Sequence, residues 1–272
     1  MTPTSSIWLR PWLLLAVVLC LGLALPGQAR ADVVCSPSPS PLNFGTVTVN
    51  ASSSAMATGT IGYTCTNYNQ TATNVSLCLD IGNPSYPGTA AQPLMQSGGS
   101  TLMFQLYVDP AQTRLWTRTV TPLQTQFTVP GPNNNGFATI TGNFTYYGVI
   151  PGNQTAAAAG NYSASFYNTV LGFMPSAGGN CQSRVTGFSG QDFTLNVVAA
   201  VGNACVVSAS PLNLGTVSPS TGSVGSSSSI NVRCPNGTPY RVGLLPSNGN
   251  TTGAGLMSGT GTNADKVPYQ LR

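Results

Sequence analysis

The sequence predicts an all-β protein with two tandem domains, the second of them incomplete. Short stretches of alternating apolar and polar residues recur along the chain, and clusters of Gly, Pro, Asn and Ser separate them. Regularly spaced short strands of this kind are typical of a β-sandwich or a barrel. One phrase also occurs twice, as CSPSPSPLNFGTV from Cys35 and as CVVSASPLNLGTV from Cys205, which indicates that one domain type is repeated.

The first 31 residues have the features of a signal peptide. Arg10 precedes an apolar run at 13–25, and Ala29-Arg30-Ala31 has the small-x-small pattern that a signal peptidase recognises. The run is too short for an ordinary membrane-spanning helix, and no later segment is apolar enough to span a membrane. We therefore expect cleavage after Ala31, a mature chain that begins at Asp32, and export of that chain.

The first copy is assigned to residues 32–198. Its strand candidates in chain order are 58–65, 102–108, 137–147, 162–170 and 193–197, which are rich in Thr, Val and Tyr. Turn clusters at 130–133 and 176–180 separate some of them. We interpret 193–197 as the closing strand of this copy, so the first sandwich is expected to be self-contained.

The second copy is assigned to residues 205–272, after a short linker at 199–204 that leaves limited freedom between the copies. Three segments of the second copy correspond, in the same order, to segments of the first: INVRC corresponds to IGYTC, GLMSG to PLMQSG, and PYQLR to MFQLY. Its strand candidates are 212–217, 229–234, 241–245 and 267–271.

The part of the first copy that follows residue 106 has no counterpart in the second copy. Four strands without a facing sheet leave one apolar face uncovered, and a core this small is marginal. We therefore expect residues 32–198 to fold alone as a stable monomer, and residues 205–272 to stay disordered or to aggregate. A fragment of a longer sequence and an interrupted gene would give the same pattern.

Six cysteines follow the signal segment, an even number that suits an oxidising compartment. Each copy contains one pair of similar spacing that brackets the same motif, so pairing within each copy is the economical reading. The expected disulfides are Cys35–Cys65 and Cys205–Cys234, which leaves Cys78 with Cys181. This last pair depends entirely on the other two.

The composition argues against an enzyme. The chain has 9 Lys and Arg against 5 Asp and Glu, no His, and acidic residues that are all scattered Asp. General acid–base catalysis, carboxylate-pair glycoside cleavage and His-dependent triads therefore lack their side chains. No cysteines have C-x-x-C spacing, so neither a metal site nor a cofactor is expected. The basic residues are too sparse for nucleic-acid binding.

The repeated phrase resembles the opening of the spore-coat-protein-U-like domain. The matching residues of the phrase, beside its two cysteines, are Leu42, Asn43, Phe44 and Gly45 in the first copy and Leu212, Asn213, Leu214 and Gly215 in the second. Further on, YYGVIPGNQTAAAAGNYSASFYNTV at 146–170 is similar to the late-strand signature of that family, with Asn168 where Asp is usual.

This resemblance implies a secreted immunoglobulin-like β-sandwich of the kind used by archaic chaperone–usher pili. Such a domain lacks its final strand, which a periplasmic chaperone and then the neighbouring subunit supply by β-strand addition. Only Asp32, Val33 and Val34 precede Cys35 in the mature chain, too few to serve as a donor strand. A subunit that accepts but does not donate resembles a two-domain tip adhesin.

The resemblance thus implies assembly by a periplasmic chaperone and an outer-membrane usher, with transit through the periplasm and display on the cell surface. The first copy would contact a host or abiotic surface and support biofilm formation, and the second would join the shaft. Candidate adhesive residues are Tyr86, Pro87, Phe137, Leu171, Phe173, Met174 and Pro175. For each of them, ordinary core or turn packing is the alternative. A structural spore-coat or surface-layer protein is the alternative function.

Overall fold

The computed structural model describes residues 33–86, 88–89, 91–118, 123–134, 136–175, 181, 189–218, 220 and 222–272. The signal segment with its cleavage site at Ala31, together with Pro87, lies outside the described residues. The described residues form strands and loops, and they include no helix long and apolar enough to cross a membrane.

The described residues form twelve strands in the first copy and four in the second. They are β1 Val33–Pro39, β2 Leu42–Val47, β3 Ala55–Asn67, β4 Thr73–Asp80, β5 Asn83–Pro84, β6 Leu94–Ser97, β7 Ser100–Met103, β8 Gln105–Tyr107, β9 Leu123–Val129, β10 Ala138–Ile150, β11 Gly160–Met174, β12 Ser189–Val201, β13 Val206–Ala209, β14 Ile230–Arg233, β15 Ala254–Ser258 and β16 Lys266–Gln270. Four of the five strand candidates of the first copy each fall on one observed strand. The candidate 102–108 is instead divided between β7 and β8, which belong to different sheets.

Two facing sheets make the first copy an immunoglobulin-like sandwich. One sheet has the order β1-β3-β10-β8, and the other has β2-β12-β11-β4-β9, with β5 and β6 also pairing with β11. All pairs are antiparallel except β2 with β12, which is parallel. The hydrophobic core between the sheets is made of residues from Val33 to Val201, which are those of the first copy and the start of the linker segment.

The last strand of the first copy lies inside its sheet. β12 pairs with β11 on one side and with β2 on the other. Residues 193–197 therefore occupy the closing position that the sequence predicts, and the backbone groups of β2 and β11 find their partners within the chain.

The opening motif and the late motif meet across the sandwich. Leu42 and Phe44, on β2, are buried against Gly148 on β10 of the facing sheet. A Cβ atom at Gly148 would overlap both side chains, so a larger residue here would require Leu42 and Phe44 to shift within the core. Between them, Asn43 Oδ1 accepts a hydrogen bond of 2.8 Å from the Gly45 N–H, and Gly45 has φ 65°. The motif therefore combines two core side chains with a local turn.

The second copy consists of two separate hairpins, β13–β14 and β15–β16. The expected strands at 212–217 and 241–245 are wrong, because neither segment is a strand. In the first copy, β2 corresponds to 212–217 and pairs with β12. No strand in the described part of 205–272 corresponds to β12, and an extended segment without a ladder partner has nowhere to place its backbone hydrogen bonds.

Candidate functional site

One end of the first sandwich leads into the second copy, and the other end does not. At one end, β12 finishes at Val201 beside Gly160 and leads into the second copy. At the other end, β3 finishes at Asn67, opposite Ala138 at the start of β10. The loop 68–72 and the loop residues 130–134 and 136–137 lie at this second end, which we call the distal end because it is remote from the second copy.

Asn67 joins the two distal loops. Its side chain is fully buried, and its Nδ2 donates hydrogen bonds of 2.9 Å to the carbonyl oxygens of Thr71 and Pro130. Its Oδ1 accepts a hydrogen bond of 2.9 Å from the backbone N–H of Asn69. One side chain therefore holds both loops. Without it, the carbonyl oxygens of Thr71 and Pro130 would need other hydrogen-bond donors.

Two aromatic side chains stand side by side at the distal end. β3 ends at Asn67 opposite Ala138, where β10 begins, so Tyr68 and Phe137 are the first residues beyond the paired strands. Their ring centroids are 6.2 Å apart at an interplanar angle of 52°. Tyr68 is 42% exposed and Phe137 is 41% exposed. Exposed aromatic rings on firmly held loops are typical of binding surfaces.

Among the other candidate adhesive residues, Tyr86 does not lie at this end, whereas β11 ends on the distal side, with Met174 opposite Ser76 near the start of β4. Tyr86 is exposed, but the Ser85 N–H donates a 2.7 Å hydrogen bond to the Ser165 carbonyl, which places Tyr86 beside the middle of β11. The structure therefore brings Phe137 together with Tyr68, which the sequence interpretation missed. The run TNYNQT around Tyr68 reads as an ordinary polar turn, and its only signal is an aromatic residue inside it.

Of the adhesive candidates within 171–175, Leu171 and Phe173 are wrong, because their side chains pack in the core. Leu171 and Phe173 lie within β11, opposite Leu79 and Leu77, and both are buried in the core. Met174 is the half-buried last residue of the strand, and only Pro175 is exposed and beyond it.

A β-bulge explains this difference. Before it, Tyr162, Ala164 and Phe166 face the core; after it, Thr169, Leu171 and Phe173 do. Tyr167 and Asn168 together oppose the single residue Thr194 of β12, so β11 contains one extra residue and its alternation shifts by one position. The apolar pattern after residue 168 therefore belongs to the same strand. Asn168 has φ 57°, a conformation that Asn adopts more readily than most residues.

The structure joins the six cysteines in the three expected pairs. Cys35–Cys65 links directly opposed residues of β1 and β3 with a Cα–Cα distance of 4.0 Å, and Cys205–Cys234 repeats this geometry at 4.2 Å. Cys78–Cys181 ties β4 to the segment that follows β11, with 5.7 Å between the Cα atoms. The first and third pairs of residues are buried, whereas Cys205 and Cys234 are partly exposed.

The second copy exposes apolar residues where the first copy buries them. Leu212, Ile230 and Met257 are all exposed, and their counterparts Leu42, Ile61 and Met95 are fully buried. The hairpins β13–β14 and β15–β16 also have open edges, because each strand has one partner only. Open strand edges next to uncovered apolar side chains form a surface that can take up further strands; we call it the acceptor surface.

The pKa values of Tyr146 and Asp109 are shifted by their surroundings in the first copy. Burial raises the pKa of Tyr146, which packs against Trp116 in the core. The pKa of Asp109 is lowered, mainly because the Thr113 N–H donates to its carboxylate, as does the Arg114 N–H. Within the described ranges, no three His, Cys, Asp or Glu side chains lie close enough to hold a metal ion.

The family comparison agrees with the repeated motif. The family model described as Spore Coat Protein U domain matches residues 26–169 and 191–271. These two segments cover most of the chain, so the protein belongs to the Spore Coat Protein U domain family. No curated protein matches it.

Solved structures of pilus proteins are among those similar to this chain. The CsuC–CsuE chaperone–tip adhesion subunit pre-assembly complex of the archaic chaperone–usher Csu pili of Acinetobacter baumannii is 15% identical, with 85% of this chain and 79% of that chain covered and a TM-score of 0.36. The CooA pilin subunit of enterotoxigenic Escherichia coli is 10% identical, with coverage of 62% and 98% and a TM-score of 0.29.

The CupB6 tip adhesin of Pseudomonas aeruginosa is 11% identical, with 62% of this chain and 43% of that chain covered and a TM-score of 0.28. These TM-scores are low.

Proposed function

We propose that the protein is an exported fimbrial subunit of the chaperone–usher type, and that it is the tip adhesin. The observation that carries this proposal is the contrast between a first sandwich with its own closing strand and a second copy with an acceptor surface. A subunit of this kind can receive a strand from a neighbour through its second copy while its first copy remains free to bind a target.

In this proposal the second copy is the assembly domain. Leu212, Ile230 and Met257 would cost free energy in water, because burying such side chains contributes about 1.5–3 kcal/mol each. A periplasmic chaperone would cover the acceptor surface during transit, and a neighbouring pilus subunit would replace the chaperone at the outer-membrane usher.

The first copy is the adhesive domain in this proposal, and the Tyr68–Phe137 pair is its contact point with a host or abiotic surface. Two aromatic rings supply apolar area at small cost in conformational entropy, which suits attachment and biofilm formation. Asn67 holds the loops that carry the pair, so the rings are arranged before contact.

The test uses cells that make the pilus together with its chaperone and usher. Antibody against the first copy should label pilus tips in electron micrographs, and the chaperone should co-purify with the periplasmic protein. Label along the whole shaft would contradict the tip position. Label in a spore coat or surface layer, without a chaperone complex, would establish the structural alternative instead.

Adhesion has a separate test with a matched control. The double variant Tyr68→Ser, Phe137→Ser should keep pilus assembly and lose most attachment. Tyr167→Ser is the control, because Tyr167 is 51% exposed and lies on the side of the sandwich, in the bulge of β11. Equal attachment by the double variant and the control would remove the distal end from the adhesive role.

Export has its own readout. Sequencing of the N-terminus of the exported protein should begin at Asp32, which follows Ala31. A lipid-modified start at Cys20 would contradict a subunit that leaves the membrane.

A further inference from the structure

One side chain of the first copy contacts both strands of the second copy's disulfide hairpin. Asn50 follows β2 in a short turn and is buried, at the end of the sandwich opposite Asn67. Its Nδ2 donates a 3.1 Å hydrogen bond to the Ala204 carbonyl and a short one to the Arg233 carbonyl. These two carbonyls belong to the residues immediately before Cys205 and Cys234.

The disulfide keeps these carbonyls close enough for a single amide. Cys205 and Cys234 have a Cα–Cα distance of 4.2 Å, and the preceding carbonyls are therefore neighbours as well. A carboxamide nitrogen carries two hydrogens, so one Asn can donate to both. Asn50 Oδ1 has no hydrogen-bond partner among the described residues, so the two hydrogen bonds of Nδ2 hold this side chain against the second copy.

Further contacts between the copies converge on the same end of the hairpin. Arg233 Nη1 donates a 3.1 Å hydrogen bond to Asn153 Oδ1. The Asn236 N–H donates a 3.0 Å hydrogen bond to the Ala157 carbonyl, and Ala158 forms a parallel bridge with Asn236. We call these contacts, together with those of Asn50, the joint. All of its second-copy groups lie within two residues of Cys205 or Cys234.

The three disulfides differ in their access to solvent. Cys35, Cys65 and Cys181 are almost completely buried and Cys78 is largely so, whereas Cys205 and Cys234 are both partly exposed. The β1–β3 ladder also extends through seven residue pairs that hold Cys35 and Cys65 together, whereas β13–β14 has only four. The bond that supports the joint is therefore the one that a thiol or an oxidoreductase reaches first.

We propose that Cys205–Cys234 is a redox lock on the orientation of the second copy. When the bond is formed, it presents the Ala204 and Arg233 carbonyls to Asn50 and holds the acceptor surface in one direction relative to the first sandwich. When it is reduced, the carbonyls separate, Asn50 loses one or both, and the second copy turns about residues 202–204.

The lock closes by thiol–disulfide exchange. The two cysteine thiols give up two protons and two electrons to the disulfide of an oxidising oxidoreductase, which becomes a dithiol, and the S–S bond forms between Cys205 and Cys234. Opening is the reverse exchange with a dithiol reductant. The second copy therefore takes its fixed orientation only after export, when Cys205 and Cys234 are oxidised in an oxidising compartment.

The test is a double-mutant cycle on the exported 32–272 chain. The variants are Asn50→Ala, the pair Cys205→Ser with Cys234→Ser, and all three changes together. The readout is amide hydrogen exchange at Asn236, whose N–H crosses the joint, with the β3 and β10 amides as an internal reference. Asn213→Ala is the matched control, because Asn213 caps a turn in the second copy away from the joint.

We expect exchange at Asn236 to accelerate about tenfold in Asn50→Ala and by a similar factor in the cysteine variant, because each loses a buried hydrogen bond of the joint. The triple variant should exchange no faster than the cysteine variant, since both changes remove one interaction. The control and the β3 and β10 amides should be unchanged.

Two outcomes would overturn the lock. No change at Asn236 in Asn50→Ala would mean that the amide does not hold the joint. Factors that multiply in the triple variant would mean that Asn50 and the disulfide act separately. If the cysteine variant is not recovered, mild reduction of the purified chain with dithiothreitol replaces it, and the partly exposed Cys205–Cys234 bond should open before the buried ones.

Discussion

The two copies form the same hairpins but bury different surfaces. In the first copy, β1 and β3 pair from Cys35 opposite Cys65 to Pro39 opposite Ile61. In the second, β13 and β14 repeat this register as far as Ala209 opposite Ile230. Ile61 is fully buried in its sandwich, whereas Ile230 is exposed. One strand pairing therefore occurs in two different environments.

The second pair of hairpins repeats the comparison. Met95 lies opposite Leu102 in β6–β7, and Met257 lies opposite Val267 in β15–β16. The turn of the repeated phrase is also the same in both copies. Asn213 Oδ1 accepts a hydrogen bond of 2.8 Å from the Gly215 N–H, and φ is 70° at Gly215 and 65° at Gly45. Leu42 is nevertheless 0% exposed and Leu212 is 46% exposed.

This comparison separates local from long-range determinants. Hairpin register and turn conformation depend on residues that are near in sequence or joined by a disulfide, and they are present in both copies. Burial depends on β10, β11 and β12, which come from later in the first copy and supply the facing side chains and the ladder partners.

The largest expected difference between the copies is in amide hydrogen exchange. Core amides of β3 should exchange only through global unfolding, while those of β14 should exchange through local opening of a two-stranded hairpin. We expect β3 to be protected at least about a thousandfold more than β14, since global stability is about 5–15 kcal/mol. Strong protection throughout 205–272 would show instead that the second copy is a finished fold.

Matched leucine substitutions should differ by several kcal/mol. Leu42→Ala removes a fully buried side chain that packs on Gly148, and we expect it to lower the free energy of unfolding by about 3 kcal/mol. Leu212→Ala removes an exposed one and should change the same quantity by less than about 0.5 kcal/mol. Urea unfolding of both variants gives the values. A similar loss from both would mean that the second copy has a core of its own.

The two ends of the first sandwich offer the next comparison. Asn67→Ala should lower the free energy of unfolding by about 2 kcal/mol, because the Thr71 and Pro130 carbonyls lose their donor. It should also weaken attachment more than Asn50→Ala, which acts at the opposite end. Asn67→Ala with normal attachment would show that the Tyr68–Phe137 pair is held by its own contacts alone.

The smallest effect concerns a wholly local element. Asp109 accepts hydrogen bonds from Thr113 and Arg114, all within five residues, and its pKa is lowered. The stabilisation of this loop is therefore full above the ordinary Asp pKa of about 3.9 and is lost as the pH falls through the lower folded value. NMR shifts of the Thr113 and Arg114 amides should report this titration in both the native protein and Leu42→Ala. A titration that disappears in Leu42→Ala would make the loop dependent on the core.

Much of the first copy was predictable from the chain alone. The five strand candidates show an alternation of apolar and polar residues that a half-buried strand requires. The disulfide partners follow from the repeat, since each copy encloses one pair. The candidate site was harder to predict from the sequence. The Gly- and Asn-rich loop before Phe137 identified that residue as a candidate, but nothing comparable in the sequence identified Tyr68.

Three features depended on contacts that only the folded chain makes. The bulge at Tyr167–Asn168 carries Leu171 and Phe173 into the core, because it shifts the alternation within one strand. Tyr68 and Phe137 meet because strands β3 and β10, far apart in sequence, pair in one register.

Residues 212–217 repeat the pattern of β2 and yet form no strand, because no counterpart of β12 lies beside them. Alternation and turn residues act within a few positions of the chain, so they are legible in the sequence. A strand and its burial need a partner from elsewhere in the chain, and that partner is decided by the tertiary structure.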